Sequence, residues 1–202
     1  MANKTRERTA VTRHLGRAAA LALLMVMAAC ALSPQTVAIR PTITTAPADI
    51  GHDRSVALTV VDQRGSKVFG SLGGIYSDTA TIGPSGDITE PVRKAVTEAL
   101  STQGFKVVAA GSPADLDMQI RIEDISYQAS GDPMVRKIAI GARVGVDAKR
   151  GSQTYSASSQ VKESREVLKA PNPAENEAYL NATVSHALEK LLADSDLIKF
   201  IS

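Results

Sequence analysis

The segment DLDMQIRIED (115–124) alternates without a break, with Leu116, Met118, Ile120 and Ile122 on one side and Asp117, Gln119, Arg121 and Glu123 on the other. A period of two predicts a strand with one face in the core and one in water. Ile125 and Tyr127 then fall out of phase with that series, which predicts a bulge near Asp124. KIAIGARVGVDAK (137–149) repeats the alternation through Ile138, Ile140, Ala142, Val144 and Val146. A turn at Lys149, Arg150, Gly151 and Ser152 leads into QTYSASSQVKE (153–163), and the three segments together predict an antiparallel meander.

Twice the spacing becomes helical. Val92, Ala95, Val96, Ala99 and Leu100 recur at three and four residues, with Thr89 as the expected cap, Pro91 in the first turn and Gly104 as the stop. A second helix starts at Asn172 and Pro173 and carries Leu180, Val184, Ala187, Leu188 and Leu191 on one face. DLIKFI (196–201) reads as a short apolar tail that packs back on the sheet. The β-branched runs SVALTVVDQRG (55–65) and FKVVAA (105–110) predict two further strands. From Lys67 to Asp87, five glycines and Pro84 with no sustained period predict a long loop or a glycine-rich hairpin. The sum is an α/β fold of the α+β kind. It is a two-layer sandwich in which a mixed, mostly antiparallel sheet of four or five strands carries two amphipathic helices on one face.

The amino terminus follows a different rule. Residues 18–29 are apolar throughout, but 12 residues fall short of the roughly 20 a membrane-spanning helix needs. Lys4, Arg6, Arg8, Arg13 and Arg17 precede this run against a single acid, Glu7, as in a secretory leader. Met27, Ala28 and Ala29 stand before Cys30, the chain's one cysteine, as a bacterial lipoprotein cleavage site requires. The expected organisation is therefore a lipoprotein signal peptide over 1–29, an acylated cysteine and tether over 30–54, and one periplasmic domain over 55–202. In the tether, TVAI (36–39) is the one stretch that could add an edge strand. Each buried methylene adds roughly 0.8 kcal/mol of membrane affinity, so two or three acyl chains on Cys30 hold durably.

Composition changes meaning once that leader is set aside. It holds five of the 23 basic residues and one of the 21 acidic ones, so the formal charge of +2 becomes −2 for the remainder. Such a balance excludes the basic footprint of a nucleic-acid binder. Without a second thiol, disulfides, CxxC redox chemistry and cysteine-zinc sites are excluded too. His52 stands near Asp49 and Asp53, but the intervening Gly51 and a loop setting argue against a metal site. His186 reads as a solvated or half-buried histidine beside the apolar stripe of the second helix. FGSLGGIYS (69–77) fits neither GxGxxG nor GxxxxGKS, so it predicts a surface loop rather than a phosphate cradle. Ser159 and Lys162 are three apart, but on a strand that spacing does not unite a nucleophile and base. No constellation predicts an enzyme, and none predicts a cofactor.

The order of segments resembles the YajG-type lipoproteins of Gram-negative bacteria. The likeness runs through TVAIRPTI after the cysteine, ALTVVDQR before a variable loop, VTEALSTQGFKV, ADLDMQIRIEDISYQ, IGARVGVDAKRGSQTYS and the closing DSDLIKFI. It implies a periplasm-facing lipoprotein domain similar in architecture to auxiliary lipoproteins of envelope ABC transport systems. It implies no catalytic motif. Ala31, rather than aspartate, after Cys30 points to the outer membrane. The expected function is a non-catalytic adapter for an envelope transport or wall-assembly system, with an envelope protein as partner. Its expected contact surface is the glycine-rich loop, through Phe69, Gly70, Leu72, Gly73, Gly74 and Tyr76, together with any exposed sheet edge. The competing expectation is a module binding a peptidoglycan fragment or lipid between sheet and helices, where Gly141 and Gly145 would leave room.

Overall fold

A computed structural model describes residues 33–74, 77–131 and 135–202. Backbone contacts divide the chain into Met1–Pro34 and Gln35–Ser202, and the second unit holds every element below. In chain order these are β1 (Gln35–Val37), β2 (Ser55–Asp62), β3 (Gly70–Ser71), β4 (Thr81–Pro84), α1 (Thr89–Thr102), β5 (Lys106–Val108), β6 (Leu116–Gly131), β7 (Arg136–Arg150), β8 (Gln153–Val167), α2 (Pro173–Leu192) and α3 (Ser195–Ile201).

The eight strands form one curled sheet, a half-barrel rather than the flat four- or five-stranded layer that the pattern predicts. The undercount has a simple cause. β1, β3, β4 and β5 are two to four residues long, too short to show a period of two. β6 organises the sheet. Along one side it pairs antiparallel with β7 over its whole length, and β7 pairs with β8 in the same way. Its other side is shared: Leu116–Ile122 pairs parallel with β2, and Tyr127 and Gln128 pair parallel with β3. β5 continues from β2, and β4 and then β1 continue from β3. The register shift between Ile122 and Asp124 confirms the expected bulge and lies where one neighbour ends and the next begins. A bulge bends and twists a strand, so the sheet forks at the residue that breaks the alternation.

Before the bulge the even residues of β6 face inward, and after it Ile125, Tyr127 and Ala129 do. With Ile138, Ile140, Ala142, Val144 and Val146 of β7 they make the wall on which the helices pack. α1 lies on β2 and β5 with the five apolar residues predicted for it buried. Its cap is not Thr89. The Asp87 carboxylate accepts from the Thr89 amide at 3.0 Å and the Glu90 amide at 3.2 Å, and these bonds hold its pKa below the ordinary 3.8. α2 begins with the capping box of Asn172 and Glu175, with Pro173 in its first turn, and packs on β7, β8 and β1. The expected tail is a third helix: Asp194 accepts from the amides of Asp196 and Leu197, and Leu197 and Ile201 are buried. Six residues were too few to show a helical period.

The segment read as a tether joins the domain from Gln35 onward. Beyond β1 it runs as an extended strap along α2. The amides of Ala38, Arg40, Thr42 and Thr44 donate to Glu177, Asn181, Ser185 and Glu189 at 2.6 to 2.9 Å. Two residues of extended chain advance about 6.6 Å and four of a helix about 6 Å, so alternate amides meet successive turns. The intervening Ile39 and Pro41 are buried.

Candidate functional site

The glycine-rich segment is a hairpin built into the sheet. The amides of Phe69 and Leu72 donate to the carbonyls of Ile82 and Ala80 at 2.7 Å, and the Ser71 hydroxyl donates to the Ser77 carbonyl at 2.7 Å. Phe69 is 4% exposed and belongs to the core, with the Arg64 guanidinium 5.1 Å above its ring. Gly70 and Gly73 lie where β3 presses on β6. A Cβ at Gly70 would stand 1.9 Å from the Tyr127 carbonyl oxygen, and one at Gly73 would stand 2.3 Å from that of Ala129. Leu72 packs partly against the core, and its carbonyl accepts from Arg136 at 2.8 Å. Of the described members Gly74 alone is exposed, the others being buried or half-buried. Of the six residues expected to bind, three therefore serve packing, and Tyr76, like Cys30, lies outside the described residues.

Gly141 and Gly145 do not open a pocket between sheet and helices, because both belong to the opposite, outward face of β7. A Cβ at Gly141 would lie 2.6 Å from the Ser126 hydroxyl, and one at Gly145 would lie 2.4 Å from both Arg121 Nη2 and Glu123 Oε1. The space above Gly145 holds the Arg121 guanidinium, which pairs with Asp147 and, at 3.1 Å, with Glu123. Arg143 reaches Glu123 at 2.8 Å, and the hydroxyls of Ser156 and Ser158 donate to Asp147 and Glu123. The hydrogen bond that Arg121 donates to Asp147 holds the carboxyl below its ordinary value and raises Arg121. Beside this network, a cleft of about 590 Å³ is lined by Ala57, Thr59, Gln119, Asp147, Lys149 and Ser156.

Two further groupings join residues that are distant in sequence. Glu163 of β8 faces α2, whose His186 Nδ1 stands 2.8 Å from it, and Arg165, two residues along β8, stands 3.0 Å away. Burial opposes its charge, but these hydrogen bonds prevail and its pKa falls below 4.5. Beneath the amino terminus of α2, the Tyr127 hydroxyl donates to Asn176 at 2.7 Å, and Asn176 donates to Gln35 at 2.8 Å. Burial pushes the Tyr127 phenol up to about 12. Neither grouping was legible, because strand register and helix phase must both be known before such pairs can be matched. His52 meets Asp49 at 3.3 Å while Asp53 turns to Lys106, and among the described residues no group of three His, Cys, Asp or Glu is placed to hold a metal.

β8 is the long free border of the sheet. Among the described residues it pairs with β7 alone over 15 residues, whereas the borders at β1 and β5 are three residues long. Residues 162–166, KESRE, carry charges that blunt an edge, but 153–161, QTYSASSQV, carry neither charge nor proline.

A family model described as "Uncharacterized lipoprotein" matches residues 41–202. The chain belongs to this lipoprotein family. No curated protein matches its sequence at a significant level. Among solved structures it is similar to protein XCC0632 from Xanthomonas campestris, with a TM-score of 0.55, 13% identity, and 83% of this chain and 97% of that one covered. It also resembles a neuraminyllactose-binding hemagglutinin homolog from Helicobacter pylori (TM-score 0.46, 7% identity, 82% and 98% covered) and lipoprotein GNA1162 from Neisseria meningitidis (0.35, 13%, 70% and 99%). At these identities the likeness concerns fold, and of the three the Xanthomonas structure carries it. Among the described residues of this lipoprotein, no helix is long and apolar enough to cross a membrane.

Proposed function

We propose that this lipoprotein is a non-catalytic adapter of the Gram-negative envelope, of the YajG type. It is held by acyl chains on Cys30 at the inner surface of the outer membrane, and its domain faces the periplasm. The border of β8 supports the reading. Residues 153–159 offer an uncharged, proline-free row of backbone groups to a strand from an envelope protein, up to Gln160, whose carbonyl accepts from Lys190 at 3.4 Å, and tethering keeps a modest interface occupied through effective concentration. The glycine-rich hairpin contributes less than its composition suggests, because Phe69, Gly70 and Gly73 are committed to packing.

A photocrosslinking side chain at the exposed Gln160 tests this in intact cells. The expected outcome is one defined envelope-protein adduct that weakens when Cys30→Ala is exported by an ordinary signal peptide. Equal labelling of many proteins would refute the adapter role. The outward cleft of about 590 Å³ beside Asp147 favours a second reading, a binder of peptidoglycan fragments. A rise in melting temperature with muropeptides, lost in Gln119→Ala, would favour it over the adapter.

A further inference from the structure

We infer that the end of the domain bearing Leu168 and Val135 rests on the phospholipid surface, with Leu168 entering the acyl boundary. The inference builds on the proposed acylation of Cys30. A single exposed apolar side chain is ordinary, but of the three large ones exposed among the described residues, Val68, Val135 and Leu168, two adjoin at this end. Leu168 is 83% exposed and Val135 45%, and they stand one step beyond the last rung of the β7–β8 ladder, Arg136 opposite Val167. Beside them Lys137 and Lys169 are exposed, as is Arg165 a little further down the strand. The facing acids are Glu166 opposite Lys137, Glu163, which pairs with Arg165 at 3.0 Å, and Glu175 in the capping box of α2, so Lys137 and Lys169 carry the fringe. An apolar tip fringed by long cationic side chains suits a headgroup region, where the charges reach phosphates while the stems lie along the apolar layer.

Chain length supplies the occupant. Gln35 pairs with Ile82, which is in register with Gly70 and through it with Tyr127. β1 runs against β6, so the chain before Gln35 comes from the end where β6 turns into β7. From the level of Tyr127 to the end of β6 at Gly131 is about 13 Å. The five residues from Cys30 to Gln35 span at most about 17 Å. An anchor in the bilayer thus leaves only a few ångströms between the lipid surface and this end of the sheet. Leu168 lies four residues before Asn172, whose helix touches Gln35 through Asn176, so the apolar tip and the arriving chain share this end.

The chain contains no tryptophan, so one added residue reports alone. The acylated protein carrying Leu168→Trp, or Ser152→Trp at the opposite turn as control, is reconstituted in phosphatidylethanolamine–phosphatidylglycerol vesicles with brominated acyl chains. Leu168→Trp is expected to shift to the blue and be quenched about twofold or more, while Ser152→Trp is not. Adding Lys137→Glu and Lys169→Glu should reduce the quenching, and more so at low salt. Unchanged Leu168→Trp emission in protein that floats with the vesicles overturns the inference and leaves the anchor standing. Protein that does not float overturns both. A crosslink from position 168 to an envelope protein, without quenching, would assign this end to a protein partner and overturn the lipid contact.

Discussion

Gly70 and Gly145 look alike in the sequence, yet their surroundings give them different costs. At Gly70 the backbone has φ of 154°, and an added Cβ would meet the Tyr127 carbonyl, which the sheet does not let move. Gly70→Ala is expected to lose roughly 2–4 kcal/mol in denaturant unfolding, since strain and a backbone clash add. At Gly145 the obstacle is the ends of Arg121 and Glu123, flexible side chains on the wet face. Gly145→Ala should cost less, about 1–2 kcal/mol, because the far ends of the half-buried Arg121 and Glu123 can shift where a backbone carbonyl cannot. Equal losses would show that the polar network is rigid. Capping gives a second residue-level contrast. Asp87→Ala should lower stability by about 1 kcal/mol, and Thr89→Ala by much less, because the carboxylate and not the hydroxyl takes the helix amides.

Among the elements, the strap departs furthest from expectation. Its residues are ordinary linker types, and what orders them is the row Glu177, Asn181, Ser185 and Glu189 on α2. Asn181 does most, accepting from the Arg40 amide and donating to the Ala38 carbonyl at 2.9 Å. Asn181→Ala should therefore release amide protection at Arg40 and Thr42 in hydrogen exchange and speed protease cleavage there, at a global cost of about 1 kcal/mol. Protection that persists would mean that Ile39 and Pro41 alone hold the strap.

For the whole molecule, the carboxylates set the acid limit. Asp62, Asp87, Asp147 and Asp194 are held below the ordinary 3.8, by hydrogen bonds from Arg64, Thr89, Arg121 and Leu197 respectively as the largest cause. A group with a lowered folded pKa contributes its stability above the unfolded value and loses it as pH falls through the folded one. Stability should be level from pH 7 to about 5 and fall steadily below about 4, as read from urea midpoints across that range. A profile flat to pH 3 would show these bonds to be dispensable. Membrane contact at the Leu168 end would turn residues 153–161 of β8 toward the periplasm, where a partner strand can reach them.

The alternating and helical spacings determined the long meander, its bulge, α1 and α2, because each spans enough residues for period to speak and because burial of one face leaves little choice. The apolar run with its basic leader determined the lipoprotein reading in the same local way. Tertiary structure alone decided the rest. Strands of two to four residues exist only because a neighbour completes their hydrogen bonds, and a strap of one proline with alternating threonines and isoleucines is ordered only by what it lies on. Gly141 and Gly145, read as room for a ligand, acquired their meaning from which face of β7 they occupy. The glycines of the hairpin, read as a binding loop, acquired theirs from how near β6 lies. Side-chain type is local, but the space around it is set by partners tens of residues away.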